Sequence, residues 1–177
     1  MKALLYTLIA FTVFTTHIKA QTQLLIGDKA YSATDNWLFD NNMPSGYYDQ
    51  NKVTFCVAKD GEQGLFSITM KVANGGKLKG PCTIYLLDNT VITCSTVITT
   101  DLVDEKHTIL FRLTHDEVVK MSKSRITTVR YNYTELSGVK AYTADNSRQY
   151  FGMPGSKPAN FLDYYETDAG IKRLFAL

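Results

Sequence analysis

The sequence lacks the short signatures that commonly accompany catalysis. It has no Gly-x-Ser-x-Gly, no phosphate-binding loop and no dinucleotide-type glycine pattern, so nothing points to nucleophile-elbow hydrolases, P-loop enzymes or Rossmann oxidoreductases. Only three cysteines and three histidines occur, with no Cys-x-x-Cys, which leaves a zinc site of the usual spacing without support. No apolar run approaches the roughly 20 residues that a membrane-spanning helix requires. Basic residues never run longer than two, and no sequence-local patch for nucleic acid results. Internal repeats and low-complexity tracts are also missing.

What is present begins with an export signal. Met1 and Lys2 form a short positive start, Ala3–Phe14 is apolar apart from Thr7 and Thr12, and Ala20 is a small residue suited to the position before a cut. This pattern predicts a secretory signal peptide over 1–20 and one domain over 21–177. Loss of Lys2 and Lys19 leaves 17 basic against 17 acidic side chains. An electrically neutral chain has no global field for nucleic acid or an anionic membrane. The expected location is periplasmic or extracellular, with no nucleic-acid partner and no stable membrane anchor in the mature form.

The remaining chain alternates with a period of two. Val53, Phe55 and Val57 share one parity in 52–58, and Phe66, Ile68, Met70 and Val72 share one in 64–73. The intervening KDGEQ is a turn, so the pair reads as a hairpin. A second hairpin is expected across Leu87-Asp88-Asn89, with Asn89 in the left-handed position. That register sets Leu86 against Thr90, Ile84 against Ile92 and Cys82 against Cys94. Further strands are expected at 21–26, 106–113, 126–133 and 139–143. In 106–113, His107, Ile109, Phe111 and Leu113 share a face; in 126–133, Val129, Tyr131 and Tyr133 do. Thr114-His115-Asp116-Glu117 fits a capping box opening a helix over 115–122. Segment 27–51 is rich in turn formers and reads as irregular, and the C-terminal tail is weakly patterned, with a helix from 159 to about 167 broken at Gly170 as one reading and an extended tail as the equal alternative. The predicted fold is mainly β (β-rich α+β). Six to eight mostly antiparallel strands form a sandwich or bent open sheet, with one short helix crossing an edge.

Four groups of side chains carry candidate chemistry. Trp37, Tyr47 and Tyr48 lie among amides and carboxylates, where rings stack on a sugar, although large rings also pin long loops. His107 follows Asp104-Glu105, and His115 precedes Asp116-Glu117; each is a candidate metal or acid–base cluster. Eight residues of extended strand separate the two histidines by about 26 Å, which argues against one joint site. Asp35, Asn36, Asp40, Asn41 and Asn42 offer oxygen ligands without calcium-loop spacing. Cys82 and Cys94 are the expected disulfide if any forms, with Cys56 free and reduced buried thiols as the alternative.

The segments IYLLDNTVITC and LTHDEVVKMSKSRITTVRY resemble those of small exported β-rich proteins of Bacteroidota-type bacteria. Those proteins carry an "lDDGtvI" turn, an "LT-x-x-E-hydrophobic" helix and an "I-x-x-(I/V)-R" strand. The matching positions are Asn89 in place of Gly, then Leu113, Thr114 and Glu117, then Ile126, Val129 and Arg130. The resemblance covers about a third of the chain and implies export, with no activity. The sequence reading is therefore a secreted or periplasmic non-catalytic interaction or binding domain. It has no expected cofactor or metal and no defined oligomeric state, and its partner is a protein or a carbohydrate. The alternatives are a small hydrolase or metal-dependent enzyme using His107 or His115, and an inhibitor or immunity protein against an exported toxin.

Overall fold

A computed structural model describes residues 22–42, 52–72, 75–135, 137–146, 148–149 and 162–177. The expected signal segment and the rings of Tyr47 and Tyr48 lie outside the described residues. The protein is mainly β, built on a nine-stranded antiparallel sheet. Its strands are β3 (Trp37–Asn41), β4 (Lys52–Asp60), β5 (Gln63–Lys71), β6 (Lys77–Leu86), β7 (Val91–Cys94), β8 (Val97–Val103), β9 (Lys106–Leu113), β10 (Ile126–Glu135) and β11 (Gly138–Asp145). Their spatial order is β7-β6-β10-β11-β3-β4-β5-β9-β8. A separate hairpin joins β1 (Gln23–Ile26) to β2 (Lys29–Ser32), and two-residue strands β12 (Arg148–Gln149) and β13 (Leu162–Asp163) pair with each other. Among the described residues the helices are α1 (His115–Lys123) and α2 (Thr167–Phe175); neither is long and apolar enough to cross a membrane.

Strand alternation fills one face of this sheet with rings and branched chains. Phe39, Phe55 and Phe66 line up across β3, β4 and β5, with centroids 4.9 Å and 5.7 Å apart. Ile68, Ile109, Phe111, Val129 and Tyr131 continue the same core. Each such side chain stabilises by about 1.5–3 kcal/mol when fully buried. Both helices cap this face, with Val118, Met121 and Ile171 wholly buried. The sheet bends without closing into a barrel. Near its middle, β6 comes over β8 and β9 so closely that a Cβ on Gly80 would lie 3.0 Å from Val97 Cγ2 and 3.3 Å from Phe111 Cε1. A side chain there would require Val97 or Phe111 to give way by a few tenths of an ångström.

The local sequence signals hold where they were strongest. The hairpin of β4 and β5 pairs Phe55 with Ile68 and Val57 with Phe66. Thr114 caps α1: its N–H donates to Glu117 Oε2 at 2.7 Å, and Glu117 N–H donates to Thr114 Oγ1 at 3.3 Å. In the second hairpin Cys82 pairs with Cys94 and Ile84 with Ile92. Leu86 N–H donates to the Thr90 carbonyl at 2.9 Å, and Asn89 has φ 67°.

Three expectations need correction. Segment 27–51 is not wholly irregular, because it contributes β2 and the interior strand β3. Trp37 and Phe39 of β3 are buried, and backbone pairing to β4 and β11 overrides the turn-forming composition. The tail helix starts at Thr167 instead of ending there, and Gly170 lies inside it. Gly170 lies against Trp37: a Cβ there would be 3.4 Å from Trp37 Cζ2, ordinary packing distance. Finally, among the described residues two helices lie over the core instead of one across an edge. Asn146 fixes the second: its Nδ2 donates to the carbonyls of Ile126 (2.7 Å) and Tyr165 (3.0 Å), and Ile126 N–H donates to Thr167 Oγ1 at 2.8 Å.

Candidate binding cleft

The opposite face of β4, β5 and β9 is organised in rows, because antiparallel register sets one residue from each strand side by side. Thr54 pairs with Thr69, and Thr69 with Thr108. One step further, Lys71 pairs with Lys106, and continuing the β4–β5 register by two residues brings Lys52 level with Lys71. In the other direction lie Cys56, Ser67 and Leu110, then Ala58, Leu65 and Arg112. Neighbouring strands are about 4.8 Å apart. The face thus grades from apolar, through hydroxyl, to a line of three ammonium groups.

Hairpin β1–β2 covers only the apolar end. Ala33, Ala58, Leu65 and Leu110 form a small buried cluster, with Leu24, Ile26 and Tyr31 packed against it. The chain after β2 is tied to β4: Thr34 N–H donates to the Val57 carbonyl at 2.9 Å, and Val57 N–H donates to Thr34 Oγ1 at 3.1 Å. Beyond the hairpin the face opens into a cleft of about 420 Å³. Leu24, Asn36 and Leu38 form one side, Thr54, Cys56, Ser67 and Thr69 line the floor, and Lys52, Lys71 and Lys106 surround the mouth.

Electrostatics differ sharply between floor and mouth. Burial pushes the Cys56 thiol up to about 11, against a smaller opposing effect of its hydrogen bond with Ser67; the sulfur is neutral at ordinary pH. Thr69 Oγ1 and Thr108 Oγ1 are hydrogen-bonded at 2.9 Å. At the mouth, Lys52 lies 3.7 Å from Asp40 and Lys71 3.8 Å from Glu105. Lys106 has no carboxylate within ion-pair range among the described residues. Lysines directly opposite one another in a sheet repel, and the two acids offset only part of that repulsion.

The sequence candidates fall elsewhere. Trp37 is 3% exposed and packed in the core, where its ring is withdrawn from any sugar-stacking surface. His107 is 4% exposed; its Nδ1 accepts from Leu78 N–H at 3.2 Å, so the imidazole ties β9 to β6. Burial, followed by the charge of Lys77, lowers its pKa, with Asp101 opposing. His115 begins α1 with Nδ1 3.4 Å from the Glu62 carbonyl. Among the described residues no three of His, Cys, Asp and Glu gather as metal ligands. Cys82 and Cys94 are cross-strand partners, but both are free buried thiols, as is Cys56. The bond is not formed in this structure, and the two residues remain a buried cross-strand pair of thiols. Burial, and then the neighbouring Cys94, raise the pKa of Cys82.

The lysine row was missed because it has no sequence-local signature. Lys52, Lys71 and Lys106 stand singly at strand ends. Only the registers of two successive strand pairs bring them together, and the β5–β9 pair joins segments about thirty-five positions apart. The available signal was parity: each lysine continues the outward-facing set of its own strand. No family model matches the chain, and no curated protein or solved structure matches it.

Proposed function

We propose that this protein is an exported, non-catalytic binding domain whose ligand occupies the cleft above Thr54 and Thr69. The observation that supports this reading is the partial cover of one sheet face. A dedicated hairpin seals the apolar half and stops short of a hydroxyl-lined, lysine-rimmed hollow of about 420 Å³, within the size range of small-molecule sites. Both described histidines are occupied with backbone contacts, which weighs against the alternative of a histidine-based enzyme. Export rests on the Met1–Ala20 pattern. Protein recovered from its native envelope or medium is expected to begin at Gln21, and an N-terminus at Met1 would contradict export. A thermal-shift screen of small metabolites tests the binding reading. A saturable increase in melting temperature that disappears in Thr69→Val is expected; stabilisation that survives this change would place the ligand elsewhere.

A further inference from the structure

The row structure also specifies the ligand's chemistry. Resting on the cleft as the binding site, we infer that it takes a small hydroxylated oxyanion, a sugar acid or sugar phosphate. The anionic group sits among Lys52, Lys71 and Lys106, and the sugar hydroxyls lie on the threonine row.

Three features carry this. First, three ammonium groups on adjacent strands repel one another; Asp40 pairs with Lys52 and Glu105 with Lys71. Among the described residues Lys106 has no carboxylate within ion-pair range, so its ammonium group is left for a ligand oxyanion. Both ion pairs are substantially exposed, and exposed pairs are weak, so a ligand oxyanion competes with them readily. Second, the floor presents hydroxyls in register with the lysines. A hydroxyl donates one hydrogen bond and accepts two; Thr69 spends one contact on Thr108, and Thr54 Oγ1 makes no hydrogen bond among the described residues. That set matches vicinal hydroxyls better than it matches an alkyl chain. Third, nothing on the floor opposes an anion, because the buried Cys56 thiol stays neutral. Leu24 and Leu38 supply an apolar wall for the C–H face of a sugar ring.

Isothermal titration at low ionic strength tests the inference on the mature protein, with glucuronate, glucose phosphate, glucose and inorganic phosphate as probes. At least one of the two charged sugars is expected to bind at least about tenfold more tightly than either glucose or inorganic phosphate, a difference of about 1.4 kcal/mol. Lys71→Gln and Lys106→Gln each weaken that binding about tenfold and leave the melting temperature unchanged, whereas Thr54→Val weakens sugar binding and spares inorganic phosphate. If glucose binds as tightly as the tighter of the two charged sugars, the anionic requirement is overturned while the cleft remains a binding site. If inorganic phosphate binds as tightly as the tighter of the two charged sugars, the threonine row has no role and the inference also fails. If none of the four binds while another ligand from the thermal-shift screen does, the ligand class is wrong. If that screen is empty too, the binding reading falls with it.

Discussion

The two ends of one sheet face make an instructive contrast. Ala58, Leu65 and Leu110 on the one hand, and Thr54, Thr69 and Thr108 on the other, lie on the same three strands and point the same way. The first set is sealed beneath hairpin β1–β2 and the second is left open. Backbone pairing is continuous through both, so secondary structure does not explain the difference. Side-chain chemistry does. The hairpin brings Leu24, Ile26 and Tyr31, which gain by covering leucine and alanine, and it would leave hydroxyls and ammonium groups unsatisfied if it extended further. The covered end maintains the fold, and the open end is available to a ligand.

Substitutions at the covered end should break the fold most. Leu65→Ala or Leu110→Ala removes a fully buried side chain from beneath the hairpin, with an expected loss of about 2–5 kcal/mol. Urea denaturation measures it, and a loss comparable to that of Thr69→Val would erase the contrast. At the boundary, the raised pKa of Cys56 predicts thiolate-dependent labelling slower by about a hundredfold than for an unperturbed thiol near pH 8. Mass spectrometry after iodoacetamide treatment of native protein reads this directly. Rapid labelling of Cys56 would mean that the hairpin seals less than described. Mapping of the same unreduced samples is expected to leave Cys56 unlinked in every molecule.

The other side of β9, behind the lysine row, should respond to acid. The pKa of His107 is lowered in the folded protein, so the unfolded chain binds a proton first. Its stabilising contribution is complete above the unfolded value of about 6.5 and is lost as pH falls from there through the folded value. The urea midpoint of the wild type should therefore drop more than that of His107→Gln between roughly pH 7.5 and pH 5.5. Equal drops would remove His107 from the account. The smallest expected effect on stability belongs to the lysine row itself. Lys71→Thr relieves repulsion while losing the exposed ion pair with Glu105, and the net change should be within about 0.5 kcal/mol.

Local chemistry made much of this architecture legible. The Thr114 capping box, the turn at Asn89 and the strand containing His107 each announce themselves within a few residues. Strand β3 did not, because its five residues are surrounded by turn formers and owe their conformation to partners on β4 and β11. Helix α2 is not legible locally because Gly170 reads as a breaker, whereas the helix is held by the Thr167 and Asn146 hydrogen bonds to Ile126 and by burial of Ile171. The cleft was illegible for a related reason. Its lysines and threonines come from three strands, and their chemistry exists only in the rows that tertiary pairing creates.

The central claim is that the open end of this face is a ligand site and the covered end is structural. Backbone-amide NMR during titration with the tightest-binding charged sugar tests it most directly. The account predicts saturable shifts centred on Lys52, Thr54, Thr69, Lys71 and Lys106 and reaching Leu38 and Thr108, with Leu65 and Leu110 unmoved. Shifts centred instead on the second depression, among Asp88, Arg125 and Glu166, would contradict it.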